Sequence, residues 1–399
     1  MNSSLSRDNL FEIISWLPAK AIYKFMSTCK LFSKFPKENY FGRRQAQHAL
    51  LRDDTCFFVQ SDILTNTIGW HLKFHLEVEF YSLPDQESSS GVSHNGLYFF
   101  NNAKILSSYN GLILCCMVKN KEVNFFISNP ATQSCWPIPT PPEHIQNSSV
   151  VFDHKIGLVC DSEGNLMMYH FIDNLDHWSS YLDCKVYSFK EGVWKEKAEN
   201  FFIGSRSLRF DIPVHLKGAV HFISGCFPYL TRNDPYFRPY IMSYNFEDGK
   251  SRMLRLPKEA RRGSHDISCN MRIFPWRKVN DPNQSICLVR LRKRVFTVWV
   301  LREYESSLWK KILKIRIKAM RLLESDPSDL QVKDFSLLNG EFLAFATQKK
   351  VYLYGLSDKR IHKSWDHQIE WDFVRFISYS DTLHPYDLGA TDLSLPSSM

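Results

Sequence analysis

His71 and His75 lie four apart, a separation that brings two imidazoles to one metal ion only where the backbone between them is helical. Their surroundings read as β-structure and no third ligand lies nearby, so two strand histidines are the expectation. Asp161 and Glu163 precede Gly164-Asn165, which a solvated turn explains without a general acid. Asp326, Asp329 and Asp334 fall in a loop-like stretch and are read as solvated too. Vicinal Cys115-Cys116 has the thiol pair a redox sensor needs, but its apolar setting predicts two buried strand residues. The chain contains no phosphate-binding loop, no Gly-x-Ser-x-Gly elbow and no calcium loop. No nucleophile–base–acid set follows from spacing, so a hydrolase or cyclase has no residues to support it. The expectation is a protein without catalytic residues, metal or cofactor.

What remains is chemistry of recognition. Eleven basic residues run from Arg290 to Arg321 against only Glu303 and Glu305. A nucleic-acid or acidic-ligand surface is one reading, and binding of that kind weakens steeply with salt. The other is a strand with one wet face, because Lys310 to Lys318 partly alternates with Ile312, Ile315 and Ile317. Tyr229, Tyr236, Phe237 and Tyr240 lie beside Pro228, Pro235 and Pro239, as in a long loop. Loops on a rigid scaffold are where recognition usually sits, so target binding is expected at these four aromatics.

Such groups need a scaffold. With 399 residues, 44% of them hydrophobic and 14% aromatic, the chain exceeds one ordinary domain and has ample core material. No apolar run approaches the roughly 18 residues of a membrane span. Asp8, Glu12 and Pro18 interrupt the N-terminus, which is not expected to be a signal peptide. The ten cysteines, with no Cys-x-x-Cys pair, are then expected as thiols in a reducing compartment, the cytoplasm and/or the nucleus.

The N-terminus has the shortest periodic elements. Leu10, Ile13, Ile14 and Leu17 fall at i, i+3, i+4 and i+7, one stripe of a helix whose first turn holds Asp8. Pro18 ends it, and Ile22, Phe25, Met26 and Cys29 repeat the spacing. Phe11, Trp16, Tyr23 and Phe32 lie off both stripes. About 40 residues seldom build a sufficient core alone, so this surplus apolar surface points to a partner.

This segment resembles an F-box. Leu5, Asp8, Leu10, Glu12, Ile13, Ile14, Leu17, Pro18, Cys29, Lys30 and Phe41 stand at the matching places. Ser6, Thr28 and Phe32 depart from the usual proline, valine and tryptophan, and Ser6 is expected to loosen the entry to the first helix. The resemblance implies docking on a Skp-type adaptor of a cullin–RING ubiquitin ligase. The docking residues it implies are Leu5, Leu10, Ile14, Leu17, Pro18 and Phe32.

Beyond Leu51 short aromatic and β-branched runs are split by Asn, Gly, Asp, Ser and Pro, a strand pattern. A strand, a polar turn and a second strand closing near an aromatic or leucine recur at Trp136, Trp194, Leu254, Trp309 and Trp365. These closing positions are 58, 60, 55 and 56 apart, somewhat longer than the roughly 50 residues of kelch repeats. One hairpin cannot bury both faces, so such units stack, here as β-propeller blades. Five copies are visible and residues 52–105 supply a degenerate sixth, giving about six blades in a mainly β protein. Ser107-Ser108-Tyr109-Asn110-Gly111-Leu112 followed by Asn129-Pro130-Ala131-Thr132 is similar to the F-box-associated domain common in plant F-box proteins, a kelch-like propeller, and so is the late Val298–Tyr304 run with Trp309. Asn110-Gly111 suits a tight turn needing positive φ, and Pro130 fixes another. The expected organisation is an all-α F-box domain at 1–50, a substrate-recognition propeller at 51–385 and a flexible tail at 386–399. The resemblance implies a substrate receptor that recruits an unknown target protein for ubiquitination, with no membrane partner. A propeller acting on nucleic acid or an acidic ligand outside a ligase is the alternative.

Overall fold

The computed structural model describes residues 6–26, 28, 30, 32–49, 56–61, 66–67, 71–72, 78–84, 103–119, 122–140, 155–160, 165–173, 180–226, 234, 236–264, 266, 268–276, 284–322, 330–367 and 374–384. Leu5, Cys29, His75, Asp161, Glu163, Tyr229, Asp326, Asp329 and the 386–399 tail lie outside them.

Three α-helices open the chain: α1 (Arg7–Ser15), α2 (Ala19–Met26) and α3 (Asn39–Ala49), with a 3-10 turn at Phe32–Lys37 before the last. Ser6 does not loosen α1. Its hydroxyl accepts the Asn9 N–H at 3.2 Å, an N-cap of a kind worth about 1 kcal/mol. Pro18, whose missing N–H costs nothing between helices, presents its carbonyl to Ile22 N–H at 3.1 Å and so begins α2. Helix α3 was not legible in the apolar stripes. It is joined to α1 through Arg44–Glu12 at 3.0 Å and His48–Glu12 at 3.3 Å.

Most of the other described residues form strands, arranged as six larger antiparallel sheets and one two-stranded ribbon. The first combines β1 (Cys56–Ser61) with β4 (Val78–Ser82) and, from the far end of the chain, β26 (Val374–Tyr379); a two-residue ribbon, β2 (Asn66–Thr67) and β3 (His71–Leu72), lies between β1 and β4 in sequence. The second is β5 (Lys104–Tyr109), β6 (Leu112–Lys119), β7 (Glu122–Asn129) and β8 (Ser134–Ile138). The third is β9 (Ile156–Cys160), β10 (Leu166–Asp173), β11 (Tyr181–Ser188) and β12 (Val193–Glu196), with β13 (Phe201–Phe202) also on β11. The fourth holds β14 (Leu208–Leu216), β15 (Ala219–Ser224), β16 (Tyr240–Asn245) and β17 (Ser251–Arg255); a short helix α4 (Lys258–Arg261) follows it. The fifth holds β18 (Asn270–Trp276), β19 (Ser285–Arg292), β20 (Val295–Glu303) and β21 (Leu308–Arg316). The sixth is β22 (Asp334–Leu338), β23 (Phe342–Ala346), β24 (Lys350–Gly355) and β25 (Ile361–Asp366).

This is a six-bladed β-propeller preceded by helices. The sequence repeat is the third and fourth strand of blades two to six, where Ile127 faces Trp136, Tyr187 faces Trp194, Leu301 faces Trp309 and Val351 faces Trp365. The degenerate sixth copy is degenerate for a reason: its blade borrows β26, which pairs with β1 from Cys56↔Tyr379 to Ser61↔Val374.

By its contacts the chain divides into two compact units, Met1–Phe152 with Phe373–Met399, and Asp153–Asp372. In the first, Phe58, Ile105, Cys115, Phe126 and Ile377 fill the space between blades one and two. In the second, separate apolar clusters join blades three to four, four to five and five to six. Strands covered on both faces are buried along their whole length, and β15, β22 and β23 are buried at every position, polar residues such as His221 and Asp334 included.

Asp334 corrects the reading of a solvated loop residue. It opens β22 at 1% exposure, 2.7 Å from Arg272 of β18, and burial pushes its carboxyl up to about 6 against the pull of that cation.

Candidate functional site

The helical unit is built around Ile14, Ala19, Ile22, Phe35 and Phe41, closed by Ala131 and Leu383 from the propeller side of the same unit. Phe11 fixes the layer, its ring 5.5 Å from Phe35 and 4.9 Å from Phe41. Part of the surplus apolar surface is therefore covered by this chain itself. What stays uncovered includes two residues of the stripes, Ile13 and Phe25, and two that lie off them, Trp16 and Tyr23, none of which is among the docking residues the resemblance implies. Ile13 is 52% exposed, Trp16 44%, Phe25 42% and Tyr23 37%.

Of the docking residues expected from sequence, Ile14 turns inward at 6% exposure and is a core residue. Leu10 and Pro18 are half-buried, and Leu17 and Phe32 are half-buried against the core. Leu5 lies outside the described residues. Trp16 sits on the His48 ring at 3.6 Å between centroids, and Glu12 beneath it pairs with both His48 and Arg44. The hydrogen bond from Arg44 holds the Glu12 carboxyl below its ordinary range. The exposed ring is thus presented by a fixed α1–α3 pair.

A strap at the end of the chain seats this unit. Leu383 N–H donates to Gln45 Oε1 at 2.8 Å, and Gln45 Nε2 donates to the Leu17 carbonyl at 3.4 Å. Asn129 Nδ2 donates to the Thr382 and His384 carbonyls at 3.0 and 3.3 Å. Ala131 N–H is shared between Asn129 Oδ1 and the Tyr379 hydroxyl. Thr382 Oγ1 donates to the Asn110 carbonyl at 2.9 Å. Both turns picked out in the sequence serve here. Asn110 and Gly111 take the positive φ expected, 48° and 77°, and a Cβ on Gly111 would stand 2.0 Å from Thr382 Oγ1.

The aromatic stretch before β16 divides. Tyr240 is 2% exposed; its hydroxyl donates to the Ile203 carbonyl and accepts Arg206 N–H, so it holds the fold and presents no surface to a target. Tyr236 and Phe237 are half-buried, their carbonyls taken by the Arg206 guanidinium, which also binds the Gly225 carbonyl. Tyr229 lies outside the described residues. A rigid ledge of Tyr236 and Phe237 is what remains of the expected recognition loop.

Five of the eleven residues of the basic run have partners in the chain. Arg290 is buried and donates to the carbonyls of Glu259, Ala260 and Arg262 around α4. Arg292 and Lys293 meet Asp266, while Lys311 and Lys314 meet Glu259, whose carboxyl they hold below its usual range. On β21 the wet face is as expected, with Lys310, Lys311, Lys314 and Arg316 exposed and Leu313 buried. Arg321, Lys359, Arg360, His362 and Lys363 line an open cleft of about 610 Å³, in which Asp358 pairs with Arg360 and His362.

Bond-making chemistry finds no better footing. No cluster of three or more His, Cys, Asp or Glu able to hold a metal occurs among the described residues. Cys115 and Cys116 are fully buried strand residues, and burial pushes the Cys116 thiol up to about 12.

Comparison with known proteins fits this geometry. The family described as "F-box protein At3g26010-like, beta-propeller" matches residues 72–327, and the chain belongs to it. The chain is 23% identical over 365 residues to F-box protein At5g49610 of Arabidopsis thaliana, covering 89% of this chain and 88% of that one. It is also 23% identical over 335 residues to F-box protein At1g49990 of the same plant, covering 76% and 74%. Among solved structures, TolB from Acinetobacter baumannii aligns with a TM-score of 0.43 and 12% identity over 84% of this chain and 73% of that one.

Proposed function

We propose that this F-box propeller is the substrate-recognition subunit of an SCF-type ubiquitin ligase. Its helices would seat on a Skp-type adaptor, and its propeller would hold a target protein for ubiquitin transfer by the other subunits. The observation that carries the reading is the apolar surface of Ile13, Trp16, Tyr23 and Phe25, left open on helices whose other side is well packed. An exposed aromatic–aliphatic set on a rigid support is what a protein interface uses as anchors.

The strap through Leu383, Gln45, Asn129 and Thr382 supports the second half of the argument. A receptor must hold its target at a fixed distance from the transferring subunits, and a hydrogen-bonded seat between helices and blade two keeps that register. The chain itself supplies no catalytic group in this scheme and works in the cytoplasm and/or nucleus. Tyr236 and Phe237 are the proposed target-contacting aromatics. Arg292 and Lys293 share Asp266, and Lys311 and Lys314 share Glu259, but Arg294, Arg302, Lys310, Arg316, Lys318 and Arg321 are exposed, so the nucleic-acid alternative keeps a basic edge and is separated by the test below.

Full-length protein mixed with a purified plant Skp-type adaptor should co-elute as a stoichiometric complex on size exclusion, and adding cullin should shift it further. Separate elution of the two proteins at concentrations well above micromolar would overturn the assignment. A salt-sensitive shift of a nucleic-acid probe in the same experiment would favour the alternative.

A further inference from the structure

Two cysteines 43 residues apart in sequence meet in the second unit. Cys226, just beyond β15, and Cys269, just before β18, have their sulfurs 3.8 Å apart, with the Cys226 thiol donating to the Cys269 sulfur. Both are free thiols. Cys269 is 8% exposed and Cys226 half-buried, so the pair has a route to small solutes. Cys269 is pinned through its N–H to the Asp266 carbonyl at 2.8 Å, and Arg290, held by three carbonyls, and Arg292 bring positive charge to it. The hydrogen bond from Cys226 and these two cations hold the Cys269 thiol below its ordinary range, against burial and the Asp266 carboxylate. The same hydrogen bond and burial push Cys226 up. This division of labour, one sulfur the easier of the two to ionise and one holding its proton 3.8 Å away, is that of an attacking and a resolving cysteine.

We propose that Cys226 and Cys269 form a reversible redox pair which a hydroperoxide closes to a disulfide, tying the exit of β15 to the entry of β18. The Cys269 thiolate attacks one peroxide oxygen, the O–O bond breaks, and hydroxide leaves, taking up a proton as water. The product is a sulfenic acid on Cys269. The Cys226 sulfur, passing its proton to the departing oxygen, then attacks the Cys269 sulfur; the S–O bond breaks, the S–S bond forms, and a second water leaves. Two thiols have lost two electrons and two protons, and one peroxide has become two waters. The sulfurs must close from 3.8 Å to about 2.05 Å, within reach of side-chain rotation and a small backbone shift. Thiols of a reducing compartment reverse the bond.

Oxidation would fasten blade four to blade five where the Arg206-held Tyr236–Phe237 ledge begins, since Arg206 also binds Gly225, the neighbour of Cys226. Four of the other described thiols are poorly suited to compete. Cys115, Cys116, Cys184 and Cys287 are buried strand residues, and desolvation raises all four.

The test uses the reduced full-length protein treated with hydrogen peroxide, then alkylated with N-ethylmaleimide and digested for mass spectrometry. A linked Cys226–Cys269 peptide should appear, alkylation at both sites should fall together, and dithiothreitol should restore it. In Cys226→Ser, dimedone should trap a sulfenic acid on Cys269. In Cys269→Ser, Cys226 should stay alkylatable at the same peroxide dose. Full alkylation of both sites while other cysteines oxidise would overturn the proposal, as would Cys226 linked chiefly elsewhere. The wild-type peptide map decides the matter even if a serine variant fails to fold.

Discussion

Replacing Ile13 of α1 and Trp16, its C-cap, together by serine isolates the surface on which the functional assignment rests. The two lie one turn apart on the uncovered side of the helix. Trp16 keeps 44% of its surface in water, roughly 110 Å² if a large aromatic can bury up to about 250 Å². At about 25 cal/mol per Å² that area contributes about 2.5 kcal/mol when a partner covers it. Ile13, 52% exposed, adds about 1 kcal/mol by the same scale. Together about 3.5 kcal/mol corresponds to a loss of about 300-fold in adaptor affinity, an upper value because coverage at an interface is rarely complete. Titration calorimetry of the full-length double variant against a Skp-type adaptor reads that loss directly. The thermal midpoint should fall while the fold holds at the assay temperature, because the covered part of both side chains, the Trp16–His48 stacking and the Trp16 hydrogen bond to Glu12 are given up. Ile14→Ser supplies the contrast. That side chain is 6% exposed within the helical core, so its loss should cost about 2–4 kcal/mol of stability through the cavity left behind. An affinity within threefold of wild type, with the fold intact, would refute the claim that this face is the adaptor seat.

Two further outcomes follow from groups that hold the blades. Asn129→Ala removes the donor to the Thr382 and His384 carbonyls and the acceptor for Ala131 N–H in a fully buried site, and should cost about 2–4 kcal/mol while raising amide exchange at Leu383 and through α3; unchanged exchange there would mean the strap does not seat the helices. His221 is buried and neutral, donating from Nδ1 to the Val214 carbonyl and accepting the Tyr304 hydroxyl at Nε2, and burial lowers it to about 4. Because the unfolded chain takes up this proton near 6.5 and the folded chain only near 4, its stabilisation is whole above pH 6.5 and is lost as pH falls toward 4. The full effect is about 3 kcal/mol, so urea midpoints measured from pH 7.5 to 4 should fall less steeply for His221→Gln than for wild type; parallel curves would disprove it.

How far the sequence carried these conclusions depends on what periodicity encodes. The third and fourth strands of five blades were visible because each ends in a polar turn and closes on an aromatic or leucine that faces the preceding strand, as Trp136 faces Ile127. The first strands were silent: β14 and β18 carry Arg209, Asp211 and Arg272, which break the apolar run that would mark them. That same charge explains the misjudged Asp334, since only a folded neighbour such as Arg272 makes a buried carboxylate tolerable. Pairings between distant residues were equally out of reach. Nothing local in β1 announces β26, nor in Cys226 its contact with Cys269.

The docking surface shows most clearly where the limit lies. Leu10, Ile13, Ile14 and Leu17 form a true stripe, but a stripe fixes only which residues share a face. Ile13 and Ile14 stand about 100° apart around the helix, and either could point inward. The deciding element is α3, whose Phe41 takes Ile14 into the core and whose Arg44 and His48 hold Glu12 and Trp16 on the opposite flank. Helix α3 carries arginines, glutamines and a histidine where an apolar stripe would otherwise have betrayed it, and it buries Gln45 because Leu383 and Leu17 satisfy that amide. A polar side chain paid for by the far end of the chain is invisible to any window of neighbouring residues. For that reason the motif could mark the helices but not which side of them is exposed, and it put Ile14, rather than Ile13 and Trp16, on the surface.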